Sequence, residues 1–124
     1  MVGPTRVYPP PEDVVRKPTT VVSMRVGDDH DVRIDRRTRW GNPHHLDRPG
    51  DHDERRACIR AYARWLAHRD QSWILEDVEL LRGQKLGCWC APRLCHGHVL
   101  ALLADGICAD PIEAGEIAIE IHGI

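Results

Sequence analysis

Three of the five cysteines of this 124-residue chain fall within Cys88-Trp89-Cys90-Ala91-Pro92-Arg93-Leu94-Cys95-His96-Gly97-His98, together with two of its eight histidines. Soft donors at that density signal metal or sulfur chemistry more than packing, and the fold must turn the chain back after Pro92 to use them together. If Leu86 to Cys90 is a strand, Cys88 and Cys90 project to one face and Trp89 to the opposite layer. Cys95 and His96 then complete a Cys-x-Cys-x4-Cys-His set able to close a tetrahedral zinc site, so Cys88, Cys90, Cys95 and His96 are the candidate metal ligands. His98 is the rival fourth ligand: it shares a face with Cys95 if the following helix already includes Cys95, whereas a later start favours His96. The spacing departs from the common Cys-x2-Cys pair and fails the haem-attachment pattern. A second chemistry uses the same atoms. Cys95 near a helix N-terminus, beside His96 and Arg93, has the surroundings of a nucleophilic thiol, which makes Cys95 and His96 the candidate catalytic pair. A metal would consume that nucleophile. The plainest alternative is that the thiols are small buried hydrophobes.

The length suits one core. No apolar run approaches a membrane span, the longest being Val99 to Leu103, and no basic-then-apolar leader is present, so the expected location is the cytoplasm. There an odd set of five cysteines is a metal or reactive cluster rather than a disulfide framework. A net charge of −2 disfavours an electrostatic nucleic-acid binder, although Arg33, Arg36, Arg37 and Arg39 concentrate basic charge locally.

Residues 1–18, with Pro9-Pro10-Pro11, have no face to bury and read as a disordered arm; residues 19–124 form the domain. Val21 to Val26 and Val32 to Asp35 read as strands that pair as a hairpin across Gly27-Asp28-Asp29. Asp51 and Glu54 open a helix whose stripe is Cys58, Ala61, Tyr62, Trp65 and Leu66. A second helix begins near Ser72, buries Ile74, Leu75, Val78 and Leu81, and stops at Gly83. A third runs from about His96 to Ala104. Ile117, Ile119 and Ile121 alternate with polar or small residues, which predicts a C-terminal strand over 116–121, either docked on its own domain or exchanged into a homodimer.

This order predicts an α/β fold: a small mixed sheet with about three helices packed on it in a single domain. Ligands of such sheets gather at the carboxyl ends of the strands. The loops 36–50 and 91–95 would therefore share a cleft, to which the third helix's N-terminus adds positive charge. Arg36 and Arg39 are candidate phosphate contacts, and Asn42 offers donor and acceptor to a base or amide edge. Trp40 reads as a core lid or a base-stacking ring, and His44 and His45 as surface residues.

Asp31-Val32-Arg33-Ile34, Trp40-Gly41-Asn42-Pro43, the Tyr62/Trp65 helix, Leu81 through Pro92 and Cys95-His96-Gly97 resemble the DUF4326 family over about residues 20 to 105. That family occurs in bacteria and bacteriophages and has no generally assigned activity, so the resemblance implies motifs more than mechanism; a phage-encoded chain would work in the host cytoplasm. The chain departs from it at Ile34-Asp35-Arg36, where many relatives have Ile-Gly-Arg, and at His98, where many have aspartate, which favours His96 as ligand. Two functions follow as expectations. One is a zinc enzyme acting on a nucleotide-like or phosphorylated small molecule; the other is a non-enzymatic accessory module with structural zinc.

Overall fold

A computed structural model describes residues 17–48 and 50–123. The expected N-terminal arm lies, but for Lys17 and Pro18, outside the described residues. Three strands, β1 (Thr20–Ser23), β2 (Val32–Arg33) and β3 (Lys85–Cys88), form a sheet ordered β1-β3-β2. Both pairings are parallel, with Val21 opposite Leu86 and Val32 opposite Leu86 from the other side. The expected β1–β2 hairpin is therefore not formed, because β3 lies between the two strands. Residues 24–31 cross one face of the sheet instead. Gly87 makes room for them: a Cβ there would lie 2.8 Å from the His30 ring and 3.0 Å from Met24.

The helices α1 (His52–Ala67), α2 (Ser72–Glu76), α3 (His96–Ala104) and α4 (Pro111–His122) complete the α/β domain. Asp51 caps α1 by accepting the Glu54 N–H at 3.0 Å, while the Glu54 carboxylate reaches back to the Asp47 and Arg48 N–H groups. The α1 stripe of Cys58, Ile59, Tyr62 and Leu66 is buried as its helical spacing requires. The expected second helix is broken at Asp77 into α2 and a 3-10 turn over Val78–Leu81, yet Ile74 and Leu81 are buried and Gly83 stops the turn at φ +76°. No helix among the described residues is long and apolar enough to cross a membrane.

The expected strand over 116–121 is instead the last part of α4. Asp110 caps it, accepting the Ile112 N–H at 3.1 Å, and Pro111 occupies its first turn. Small residues face the core: Ala114, Gly115 and Ala118 are buried, and a Cβ on Gly115 would stand 2.8 Å from the Ala63 Cβ of α1. Ile121 is 59 % exposed and Ile117 and Ile119 half-buried, so the alternating isoleucines do not mark a sheet face. A helix over these residues leaves no C-terminal strand to add at a sheet edge, so exchange of such a strand has no element to carry it.

Candidate metal centre and cleft

The carboxyl end of β3 meets the N-terminus of α3, and this junction assembles the cluster. Cys88 ends β3, Cys95 is the N-cap of α3 and His96 its first residue, all buried. Their donor atoms lie within 4.8 Å of one another, and such a Cys-Cys-His group could hold a metal ion. Two sulfurs each about 2.3 Å from a tetrahedral zinc stand about 3.8 Å apart, so loading asks for a contraction of at most about 1 Å.

The His96 ring is set for that task. Its Nε2 is 2.6 Å from the carbonyl oxygen of Ile34, the residue after β2. A carbonyl only accepts, so Nε2 carries the proton and Nδ1 keeps its lone pair, the arrangement in which metal-ligating imidazoles are held by a backbone carbonyl. Burial, opposed by the Ile34 bond and aided by Arg36, pushes the His96 pKa down to about 4, which keeps the ring neutral at neutral pH. The Tyr62 ring meets it edge-on at 5.1 Å.

Cys95 Sγ accepts the Gly97 N–H at 3.2 Å, so the positive end of α3 acts on this sulfur rather than on a ligand in the cleft. Because α3 starts after Cys95, His98 turns away. Its Nδ1 accepts the Cys95 N–H at 3.1 Å, and its ring stacks on His122 of α4 with centroids 3.7 Å apart. Cys90 lies past the end of β3, which stops at Cys88, so strand alternation does not align the two. Cys90 lines the same cleft but stands outside the compact donor group of Cys88, Cys95 and His96. The nearby Cys90 favours the Cys88 thiolate, but Cys95 and burial outweigh it and push the thiol up to about 12. The neighbouring Cys88 and burial likewise push Cys90 upward against the Arg55 guanidinium. Thiols raised in this way make neither Cys88 nor Cys90 an activated nucleophile. A cation would reverse the balance by replacing the shared protons.

The cluster lines a cleft of about 460 Å³ together with Asp35 to Arg37, Asn42, the 44–46 stretch and the Arg55 to Ile59 turn of α1. Arg36 lines it but is partly committed: Nε donates to the Asn42 carbonyl at 2.9 Å and Nη2 to the His44 carbonyl at 3.0 Å, clamping the loop. Asn42 is buried and engaged at both ends, accepting the His44 N–H at 2.9 Å and donating to Cys58 Sγ at 3.4 Å. Gly41 is needed because the loop packs on its own backbone, where a Cβ would stand 2.6 Å from Arg36 Cα. Arg39 is not brought to the cleft; it pairs with Asp77 at 2.6 Å and lies 4.7 Å over the Trp40 ring. Trp40 is buried, and its carbonyl accepts the Tyr62 hydroxyl at 2.8 Å. His44 and His45 line the cleft and are exposed.

Sequence reasoning missed Arg55, Arg37 and Trp89 as cleft residues. Arg55 donates to the Leu94 carbonyl at 3.1 Å and is buried on the α1 stripe with Cys58, Ile59 and Tyr62. An arginine at a core-facing position was the legible signal, since such a charge is kept inside only with partners. Asp35, whose departure from glycine had no assigned role, accepts from Arg33 at 2.8 Å and from the Trp89 indole at 3.0 Å.

The family model described as a domain of unknown function, DUF4326, matches residues 20–106. An uncharacterised 12.4 kDa protein from the nrdA-td intergenic region of Enterobacteria phage T4 is 32 % identical over 91 residues, covering 72 % of this chain and 81 % of the phage protein. No solved structure matches the chain.

Proposed function

The chain belongs to the DUF4326 family, and we propose that it is a cytoplasmic zinc enzyme that acts on a small phosphorylated molecule held in the cleft. One observation carries the reading: Cys88, Cys95 and His96 form a compact three-donor group, and all three line an open cleft rather than a sealed pocket. Three protein donors with one position facing a cavity is the arrangement of catalytic zinc, which supplies Lewis acidity. The rim supports an anionic ligand. Arg36 and Arg37 stand there exposed, and the one carboxylate among the lining residues, Asp35, is already committed to Arg33 and Trp89. The volume lies in the range of small-molecule sites, about 300–1,000 Å³.

The accessory reading keeps one observation in its favour: Cys90 lines the same cleft as Cys88, Cys95 and His96, from where it could close a fourth position. The two are separated by metal analysis of tag-free protein and its variants. Wild type is expected to hold one zinc per chain, and Cys88→Ser, Cys95→Ser and His96→Ala to lose it. Cys90→Ser keeps the metal if the site is open and loses it if the shell is Cys3His. Folded wild type without metal, carrying three titratable cluster thiols, would sink both.

A further inference from the structure

Trp89 is 50 % exposed, yet it is not loose. Its indole N–H donates to Asp35 Oδ2 at 3.0 Å, and that carboxylate is fixed in turn by the Arg33 Nε–H at 2.8 Å and the Arg37 backbone N–H at 3.2 Å. The polar edge of the ring is thus pinned at the wall of the cleft. Among the described residues no aromatic ring stacks on it and no guanidinium covers it; the ring pairs lie elsewhere, and the stacked arginine is Arg39 over Trp40 and Trp73. A ring already ordered loses little freedom when another planar group lies on it. Two residues from Asp35, Arg37 lines the same cleft, and its guanidinium makes no hydrogen bond or ion pair among the described residues.

A bare aromatic face and an unengaged guanidinium in one cleft suit a ligand with a planar ring at one end and an anion at the other. We infer that the small phosphorylated molecule is a mononucleotide, its base stacked on Trp89 and its phosphate held by Arg37, an inference that rests on the anion-accepting cleft proposed above. The net charge of −2 and a cleft of about 460 Å³ favour a free nucleotide over a strand.

Calorimetric titration of zinc-loaded protein with AMP, dCMP, ribose 5-phosphate and a short oligothymidylate tests it. AMP or dCMP is expected to bind, and Trp89→Leu to weaken that binding roughly 5- to 150-fold, the range base–aromatic stacking carries. Trp89→Phe should recover most of the loss. Ribose 5-phosphate, which has no base, should bind wild type and Trp89→Leu alike, a result that a merely structural role for the indole would not give. Equal nucleotide affinity in wild type and Trp89→Leu, with ribose 5-phosphate still binding, overturns the stacking and leaves the anion cleft standing. No binding of any phosphate probe overturns both. Oligothymidylate binding without mononucleotide binding replaces the free nucleotide with a strand and overturns the inference. Should Trp89→Leu not fold, AMP quenching of the tryptophan emission that wild type shows and Trp89→Phe lacks decides, and an unchanged difference between the two refutes the stack.

Discussion

Gly41→Ala is expected to unfold the cleft loop from within. The added Cβ would lie 2.6 Å from Arg36 Cα, 2.7 Å from the Asp35 carbonyl oxygen and 2.9 Å from Arg36 N. All three are backbone atoms, so no side chain can swing aside. The Asp35 carbonyl also accepts from the Thr38 N–H at 3.0 Å and the Thr38 hydroxyl at 3.1 Å, bonds that the displacement strains. Overpacking of this kind costs about 1–3 kcal/mol. For a chain of this length each kcal/mol lowers Tm by about 4 °C, so a fall of about 4–12 °C is expected. Gly50→Ala is the control, because its Cβ meets nothing within 4 Å and its φ is not positive; it should stay within about 2 °C of wild type. Thermal melts followed by circular dichroism, with and without a chelator, measure both. A Gly41→Ala protein that melts within about 2 °C of wild type refutes the claim that this glycine is required by close approach of the loop to itself.

Three further outcomes are expected. The Arg33 guanidinium, helped by the Trp89 indole, holds the Asp35 carboxyl down at about 2, and its side chain is 12 % exposed. A lowered folded-state pKa stabilises above the ordinary carboxylate value and loses that contribution as pH falls toward 2, so Asp35→Asn should flatten the acid limb between about pH 4 and 2, removing about 1–2 kcal/mol; equal slopes in denaturation against pH refute it. Tyr62→Phe leaves the Trp40 carbonyl without its 2.8 Å partner and should cost about 1–2 kcal/mol in urea denaturation, an unchanged midpoint being the contrary result. Gly115→Leu should lower Tm by at least about 8 °C because a Cβ there would already stand 2.8 Å from the Ala63 Cβ of α1, while Ile121→Ser, at a residue 59 % exposed, stays within about 2 °C; the reverse ranking would restore the isoleucine stripe as the buried face.

Local signals in the sequence sufficed for what one stretch of chain settles alone. The α1 start at Asp51, its Cys58, Tyr62 and Leu66 stripe, the stop at Gly83 and the α3 helix after Cys95 each follow from a cap or a repeat that needs no distant partner. The metal-donor types were equally legible from their density. Strand pairing was not, because hydrogen bonding between strands is non-local: β3 enters between β1 and β2 only when the whole sheet forms. Alternating isoleucines misled at the C-terminus. Period 2 and period 3.6 overlap over so short a window, and the Asp110-Pro111 start outweighed the alternation once Gly115 could dock on Ala63. Spacing alone left His96 and His98 open and the family resemblance leaned to His96; the physical reason is tertiary, the Ile34 carbonyl, 62 residues away in sequence, fixing one imidazole and His122 of the last helix stacking on the other. Arg36, Arg39 and Asn42 were candidate ligand contacts, but the fold commits much of their hydrogen bonding: Arg36 to the Asn42 and His44 carbonyls, Arg39 to Asp77, and Asn42 to the His44 N–H and Cys58. Composition sets which donors and cations a chain owns; which of them stay unpaired and face a common cavity is decided by the contacts the fold makes between distant segments.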